Sequence, residues 1–113
     1  MVLRAMVDIA ASNGIGFVLA SITPVSLAPS SITQRPPQRI VELNAWLKSY
    51  ATARGALYAD YYSAMVGPDG GVRDGLTFDG LHPGTLGYNV MRPIAERAIS
   101  DAERKLSRSR RKP

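Results

Sequence analysis

Residues Gly16–Ile22, with the sequence GFVLASI, are the main indicator of the fold of this chain. The run is apolar almost throughout and shows no polar alternation, which is typical of a parallel strand covered on both faces. Thr23 and Pro24 end it. A second run, Ala56–Tyr62, is rich in tyrosine and alanine and predicts another strand. We therefore expect a parallel sheet with helices packed against it.

Three helices are predicted around these strands. Residues 2–12 are apolar at helical spacing, and Gly14 is a natural stop. The second helix begins near Pro37, which suits a first turn, and ends before Gly55. The third runs from about residue 84 to 106, with a kink or break at Pro93. The predicted inward-facing residues are Leu3, Met6, Val7 and Ala10, then Ile40, Leu43, Leu47, Tyr50 and Ala51, then Met91, Ile94, Ala95, Ala98, Ile99 and Ala102.

The order of elements, α-β-α-β-α, implies parallel pairing with right-handed crossovers. A chain of 113 residues is one domain, long enough to bury a core. Two parallel strands nevertheless make a poor independent sheet, and an open apolar edge would invite aggregation. We therefore expect neighbouring strands outside this sequence, so that the chain is half a domain. Whether it is part of a longer reading frame or a natural half-domain stays open at this point.

Composition and charge exclude several classes of protein. The 45% hydrophobic and 20% charged residues are those of a globular domain, and no apolar run approaches the roughly 20 residues that span a bilayer. Cysteine is absent, so a disulfide framework, a thiolate metal site and a cysteine nucleophile are excluded. The net charge of +5 is concentrated in residues 104–113, which hold six basic side chains and no acidic one. We predict a domain over residues 1–103 and a disordered, solvated tail, for which contact with nucleic acid or membrane is the less favoured interpretation.

The residues that carry chemistry are Asp79 and His82, the latter being the only histidine in the chain. A carboxylate that accepts the Nδ1 proton orients an imidazole, and the free Nε2 can then take a proton from a nucleophile. Gly80, Pro83 and Gly84 indicate a tight loop that can turn the two side chains toward each other. A lone histidine in a loop is more often solvated or structural, so the interpretation depends on the context of the whole chain.

In that context, the Asp-x-x-His-Pro loop before a Gly-Tyr helix resembles the last motif block of the SGNH (GDSL-type) ester hydrolases. The similarity extends over residues 1 to about 103 and matches the C-terminal half of such an enzyme. It implies a flavodoxin-like three-layer α/β/α fold, no metal or organic cofactor, and a small ester as substrate. His82 would be the general base and acid, and Asp79 would fix its tautomer. Leu81 and Pro83 would shape the loop, and Tyr88 would pack it onto the sheet.

Three further blocks of that family have no match here. Neither Gly-Asp-Ser, which carries the nucleophile, nor Gly-x-Asn-Asp, which contributes to the oxyanion hole, occurs in the sequence. The chain's own serines lack a strand-to-helix turn, and Ser21 at a strand end is the least unsuitable of them. Asp60, Tyr61 and Tyr62 are expected to end a strand, and the loop 26–36 is a candidate wall for the substrate.

Two interpretations therefore compete. The first is a serine ester hydrolase of which this chain supplies only the Asp-x-x-His block, so that it is inactive without the N-terminal half of the domain. The second is a non-catalytic remnant that binds a partner through its exposed sheet edge. The ester could be an acetylated sugar, a lipid, a thioester or an aryl ester. Asp8 and Asn13 interrupt the first apolar stretch, so it is not a secretory signal. The chain as it stands is expected to be cytoplasmic, whereas an upstream signal would make it secreted.

Overall fold

The computed structural model describes residues 2–28 and 36–111. The predicted α/β order is confirmed, with one additional short helix between the second strand and the last helix. In chain order the elements are α1 (Val2–Ser12), β1 (Val18–Ala20), α2 (Pro37–Arg54), β2 (Leu57–Ala59), α3 (Tyr61–Met65) and α4 (Thr85–Arg111).

The two strands form a parallel pair that has helices on both faces. Val18 lies beside Leu57 in the register of the pair. Because side chains alternate along a strand, Leu19 faces the opposite layer from Val18. Leu19 packs with Val7 of α1 and Ala51 of α2 in the buried core. Helix α4 covers the other face, where Leu57 lies beside its C-terminal turns. The result is the predicted layered arrangement, with parallel strands in the middle.

Helix α2 follows the predicted bounds because both of its ends carry suitable residues. Pro37 lies in the first turn, where backbone N–H groups have no partner within the helix, so the missing N–H of proline costs no hydrogen bond. Gly55 ends the helix in the left-handed conformation (φ 70°). The buried stripe differs from the prediction, since Leu43 is 44% exposed and Asn44 is buried. The residues facing the core are spaced by four, three and four positions, as a 3.6-residue period requires: Ile40, Asn44, Leu47 and Ala51.

Helix α1 is apolar on a face that the described part of the chain does not cover. Val7 is buried as predicted, but the prediction for Met6 was wrong, because Met6 is 62% exposed. Val2 and Ile9 are also exposed. The physical reason is that α2 and β1 meet only one side of α1.

Both strands are shorter than the sequence predicted. Each strand comprises only three residues. The prediction that Asp60, Tyr61 and Tyr62 end a strand was wrong. The side chain of Asp60 accepts a hydrogen bond from the Ser63 N–H and caps α3, in which both tyrosines lie. The Asp60 carboxylate accepts from a backbone N–H that would otherwise have no partner in the first turn of the helix, which favours the helix over a longer strand.

Helix α4 runs through Pro93, so of the kink or break predicted there the break does not occur. The helix also continues to Arg111, into the segment that was predicted to be a tail. Arg104 pairs with Asp101 and Lys105 donates to the Gly55 carbonyl, and beyond them each further residue adds one helical hydrogen bond. The prediction for Ile99 was also wrong, since it is 53% exposed.

Within the described residues the sheet has only β1 and β2, so the outer edge of each strand lacks a partner strand. The Phe17 carbonyl, just before β1, accepts from the Leu57 N–H, and the Ser21 N–H, just after β1, donates to the Ala59 carbonyl, so both groups point to β2. The N–H and C=O groups of the alternate residues, such as Val18, therefore point away from β2. None of the described helices is long and apolar enough to cross a membrane.

Candidate active site

The two predicted site residues meet in a tight loop that precedes α4. His82 Nδ1 lies 2.5 Å from Asp79 Oδ2, and the second carboxylate oxygen, Oδ1, accepts from the backbone N–H groups of His82 (2.7 Å) and Leu81 (2.9 Å). One carboxylate thus holds both the turn and the imidazole. The structure confirms the local geometry that the Asp-x-x-His spacing predicted, with the imidazole attached through Nδ1.

These bonds favour the charged form of the carboxylate. They lower the pKa of Asp79 to about 2, mainly through the side-chain bond to His82 and then through the N–H groups of His82 and Leu81. Asp79 is therefore ionised throughout the neutral range. An ionised acceptor requires a proton on Nδ1 of the neutral ring, which leaves Nε2 with its lone pair.

Nε2 is the nitrogen available for chemistry. The His82 side chain is 63% exposed, and Nε2 makes no hydrogen bond within residues 2–28 and 36–109. A solvent-facing, basic ring nitrogen whose partner nitrogen is held by a carboxylate is the arrangement needed for general base catalysis. Asp79 and His82 are the only predicted catalytic residues, and the structure brings both of them together.

The loop is closed at its base by backbone pairing. Thr77 and Pro83 form an antiparallel bridge, and the Thr77 hydroxyl accepts from the Gly80 N–H at 3.0 Å. The Leu76 carbonyl accepts from the Gly84 N–H at 3.0 Å. Gly87, in the first turn of α4, approaches the same carbonyl so closely that a Cβ atom there would lie 2.3 Å from it. The start of α4 and the loop are therefore fixed against each other.

A further contact attaches the loop to the segment that follows β1. The Ser26 N–H donates to the Gly80 carbonyl at 2.8 Å, and a Cβ atom on Gly80 would lie 2.7 Å from Ser26 Cβ. The sequence gave no signal for this approach, although Gly80 itself marked a turn. The Asp79 and His82 loop thus lies beside the segment that leaves the carboxyl end of β1, where open α/β sheets bind ligands.

Ser21 does not act as a nucleophile in this arrangement. Its hydroxyl is buried at the end of β1 and accepts the Tyr62 N–H at 3.0 Å. It makes no hydrogen bond to His82. The structure therefore shows Ser21 as a strand-end serine whose hydroxyl is bonded to backbone.

The predicted substrate wall is described only in part. Residues 29–35 of the loop 26–36 lie outside the described residues, but Ser26 and Leu27 line an open groove of about 400 Å³ beside the Asp79–His82 loop. Thr77 and Gly80 contribute to the same groove. Leu81 and Pro83 are half-buried in the loop. The prediction that Tyr88 packs the loop onto the sheet was wrong, because this side chain is 57% exposed at the start of α4.

No group of three or more potential metal ligands occurs in the part of the chain that the structure describes. The described residues combine a parallel α/β layer structure with an Asp–His pair on a loop beside the carboxyl end of β1.

Comparison with known proteins identifies the family. The sequence profile of the GDSL-like lipase/acylhydrolase family matches residues 2–90, and the chain belongs to this family. No curated protein matches the chain.

Solved structures agree with this assignment. A GDSL-like lipase from Bacteroides thetaiotaomicron superposes with a TM-score of 0.78 at 31% identity, over 88% of this chain and 50% of that one. A predicted acylhydrolase from Bacteroides fragilis gives 0.78 at 34% identity, over 88% and 49%. A predicted lipolytic protein of the G-D-S-L family from Desulfitobacterium hafniense gives 0.64 at 28%, over 85% and 51%. The chain thus spans about half the length of these structures, and the predicted fold is confirmed as part of this fold.

Proposed function

We propose that this chain supplies the acid–base half of a serine ester hydrolase. The observation that carries the proposal is the 2.5 Å contact between His82 Nδ1 and the ionised Asp79, which leaves Nε2 exposed and unbonded in the described structure. Family membership supports the same reaction class, because the similar structures are described as a lipase and an acylhydrolase.

In the proposed reaction, Nε2 of His82 accepts the proton of a serine hydroxyl while the serine oxygen attacks the ester carbonyl carbon. The imidazolium that forms faces the Asp79 carboxylate, which stays ionised because its pKa is about 2. Nε2–H then protonates the leaving alcohol as the carbon–oxygen ester bond breaks. In the second half of the reaction Nε2 of His82 accepts a proton from a water molecule that attacks the acyl carbon, and Nε2–H then returns that proton to the serine oxygen as the acyl–serine bond breaks and the carboxylic acid is released.

The nucleophile must come from a segment that this sequence does not contain. Gly-Asp-Ser and Gly-x-Asn-Asp are absent from it, and the Ser21 hydroxyl is engaged with backbone. The chain by itself is therefore expected to be nearly inert, because a triad without its nucleophile loses orders of magnitude in rate. A substrate of small-ester type, such as an acetylated sugar or a lipid, is part of this proposal.

The partner that we propose is a segment equivalent to the other half of the similar structures. The open edge of β1 offers backbone donors and acceptors to a further strand, and α1 presents Val2, Met6 and Ile9 beside the same layer. Such a partner would pair its strand with β1 and bring its serine to the carboxyl edge of the sheet. This also accounts for the interpretation of the chain as a partner-dependent module.

A chimera tests this proposal. The half of the Bacteroides thetaiotaomicron structure that is similar to this chain is replaced by this chain, and hydrolysis of a short aryl ester is measured on folded, monodisperse protein. We expect turnover that falls by about 10⁴-fold in His82→Ala and in Asp79→Asn. Arg97→Ala, which changes an exposed side chain of α4 outside the groove, is the matched control and should retain activity of the same order. A folded chimera whose turnover does not depend on His82 contradicts the proposal.

A further inference from the structure

Phe78 is the one large apolar side chain at the catalytic loop whose ring contacts the imidazole. The Phe78 N–H donates to the His82 carbonyl at 3.2 Å, and the adjacent bridge pairs Thr77 with Pro83. Phe78 and His82 are therefore directly opposite each other across a short antiparallel pair. Side chains at such positions project to the same side.

The two rings are stacked as a result of this register. Their centroids are 5.7 Å apart and their planes differ by 17°. This geometry is the offset, nearly parallel arrangement that aromatic pairs prefer. The Phe78 side chain is nevertheless 74% exposed, so it contributes little to the core through burial. Its contact with His82 is its distinguishing interaction in the described structure.

We propose that Phe78 is a positioning residue for His82. Its ring covers one face of the imidazole and holds the side chain in the rotamer in which Nδ1 meets Asp79 and Nε2 stays open. The hydrogen bond to Asp79 fixes the Nδ1 edge of the imidazole. The stacked Phe78 ring restricts rotation of the imidazole about that hydrogen bond. The negative face of the Phe78 ring also favours the imidazolium that exists between the two proton transfers. This inference rests on the proposed function, but its test does not require turnover.

The full chain offers a direct readout, because His82 is its only histidine and gives a single set of ring resonances. Nitrogen-15 shifts of the neutral ring report which nitrogen carries the proton, and carbon-bound ring protons report the ring current of Phe78. We expect a ring-to-ring Overhauser effect between Phe78 and His82, upfield ring protons, and a dominant Nδ1–H tautomer.

Variants separate positioning from folding. Phe78→Leu keeps the size and apolar character without the aromatic face. It should abolish the upfield displacement and reduce the ratio of the Nδ1–H to the Nε2–H tautomer by about two- to tenfold. Phe78→Tyr should retain both signatures. Leu86→Ala, which removes another exposed apolar side chain at the start of α4, should alter neither. Backbone amide spectra verify that the Thr77–Pro83 bridge is present in every variant.

Two results would overturn the inference. One is the absence of the ring-to-ring effect in the unmodified chain. The other is a Phe78→Leu chain that retains its bridge and keeps the tautomer ratio unchanged, since Asp79 alone would then orient the imidazole. Failure of the proposed function gives a different result: the chimera would not depend on His82 for turnover, whereas the tautomer ratio would still respond to Phe78.

Discussion

Adding a methyl group at Gly80 should strongly destabilise the Asp79–His82 loop. The φ of Gly80 is +86°, a region that residues with a Cβ atom rarely adopt, and a Cβ atom would lie 2.7 Å from Ser26 Cβ. Gly80→Ala therefore introduces backbone strain and also forces Ser26 away. The loop would then lose the hydrogen bond from the Ser26 N–H to the Gly80 carbonyl.

The two costs can be estimated separately. A positive φ costs about 1–3 kcal/mol for a residue other than glycine. The overlap with Ser26 and the loss of one hydrogen bond cost about 1–3 kcal/mol more. Gly80→Ala should therefore lower the free energy of unfolding by about 2–6 kcal/mol, a large fraction of the total for a domain of this size.

Gly70 provides a matched control within the same chain. Its φ is +91°, but a Cβ atom there would meet nothing within 4 Å. Gly70→Ala therefore carries the strain without the overlap. Urea unfolding of the two variants should give a difference of about 1–3 kcal/mol, and only Gly80→Ala should alter the His82 ring resonances. Equal losses of stability would refute the reasoning, since the contact with Ser26 would then contribute nothing.

Three further perturbations test other parts of the structure. The pKa of the Asp79 carboxyl, followed by carbon-13 NMR, should be about 2. Because this pKa is lower in the folded chain, the stabilising effect of the carboxylate should be complete above about pH 3.8 and lost as the pH falls through 2. His82→Ala should raise the pKa of Asp79. Asn44→Leu leaves the Ile22 N–H and C=O without their side-chain partners and should cost about 2–4 kcal/mol in urea unfolding. Gly87→Ala gains helix propensity of up to about 1 kcal/mol, but overlap with the Leu76 carbonyl should make the net change destabilising in the same assay.

The parts of the fold that the sequence predicted are those governed by local patterns. Gly14 and Gly55 adopt positive φ where two helices end, and the apolar run around Leu19 forms the buried parallel strand. The contact between Asp79 and His82 could also be predicted from the sequence, because a spacing of three residues in a glycine-flanked turn is enough to bring the two side chains together. Each of these features is determined within a few positions of the chain.

The features that were missed depend on contacts between distant segments. Asn44 replaces Leu43 in the buried stripe because its amide satisfies the backbone of Ile22, 22 residues away. In the C-terminal turns of α4, Lys105 donates to the Gly55 carbonyl, which lies 50 positions earlier in the chain. The role of Ser26 beside Gly80 is of the same kind. Hydropathy and charge counts do not take contacts between distant residues into account.

The locality of the Asp–His pair explains how this chain can hold the two side chains in an ordered arrangement by itself. The bonds that orient His82 come from Asp79, from the bridge at the base of the loop and from the stacked Phe78, all within seven consecutive positions. The outer contacts, to Ser26 and to the start of α4, also lie within the described chain. A serine nucleophile, by contrast, would have to approach Nε2 from outside it. We therefore expect partner docking to add the nucleophile to an acid–base pair that is already oriented, rather than to build that pair.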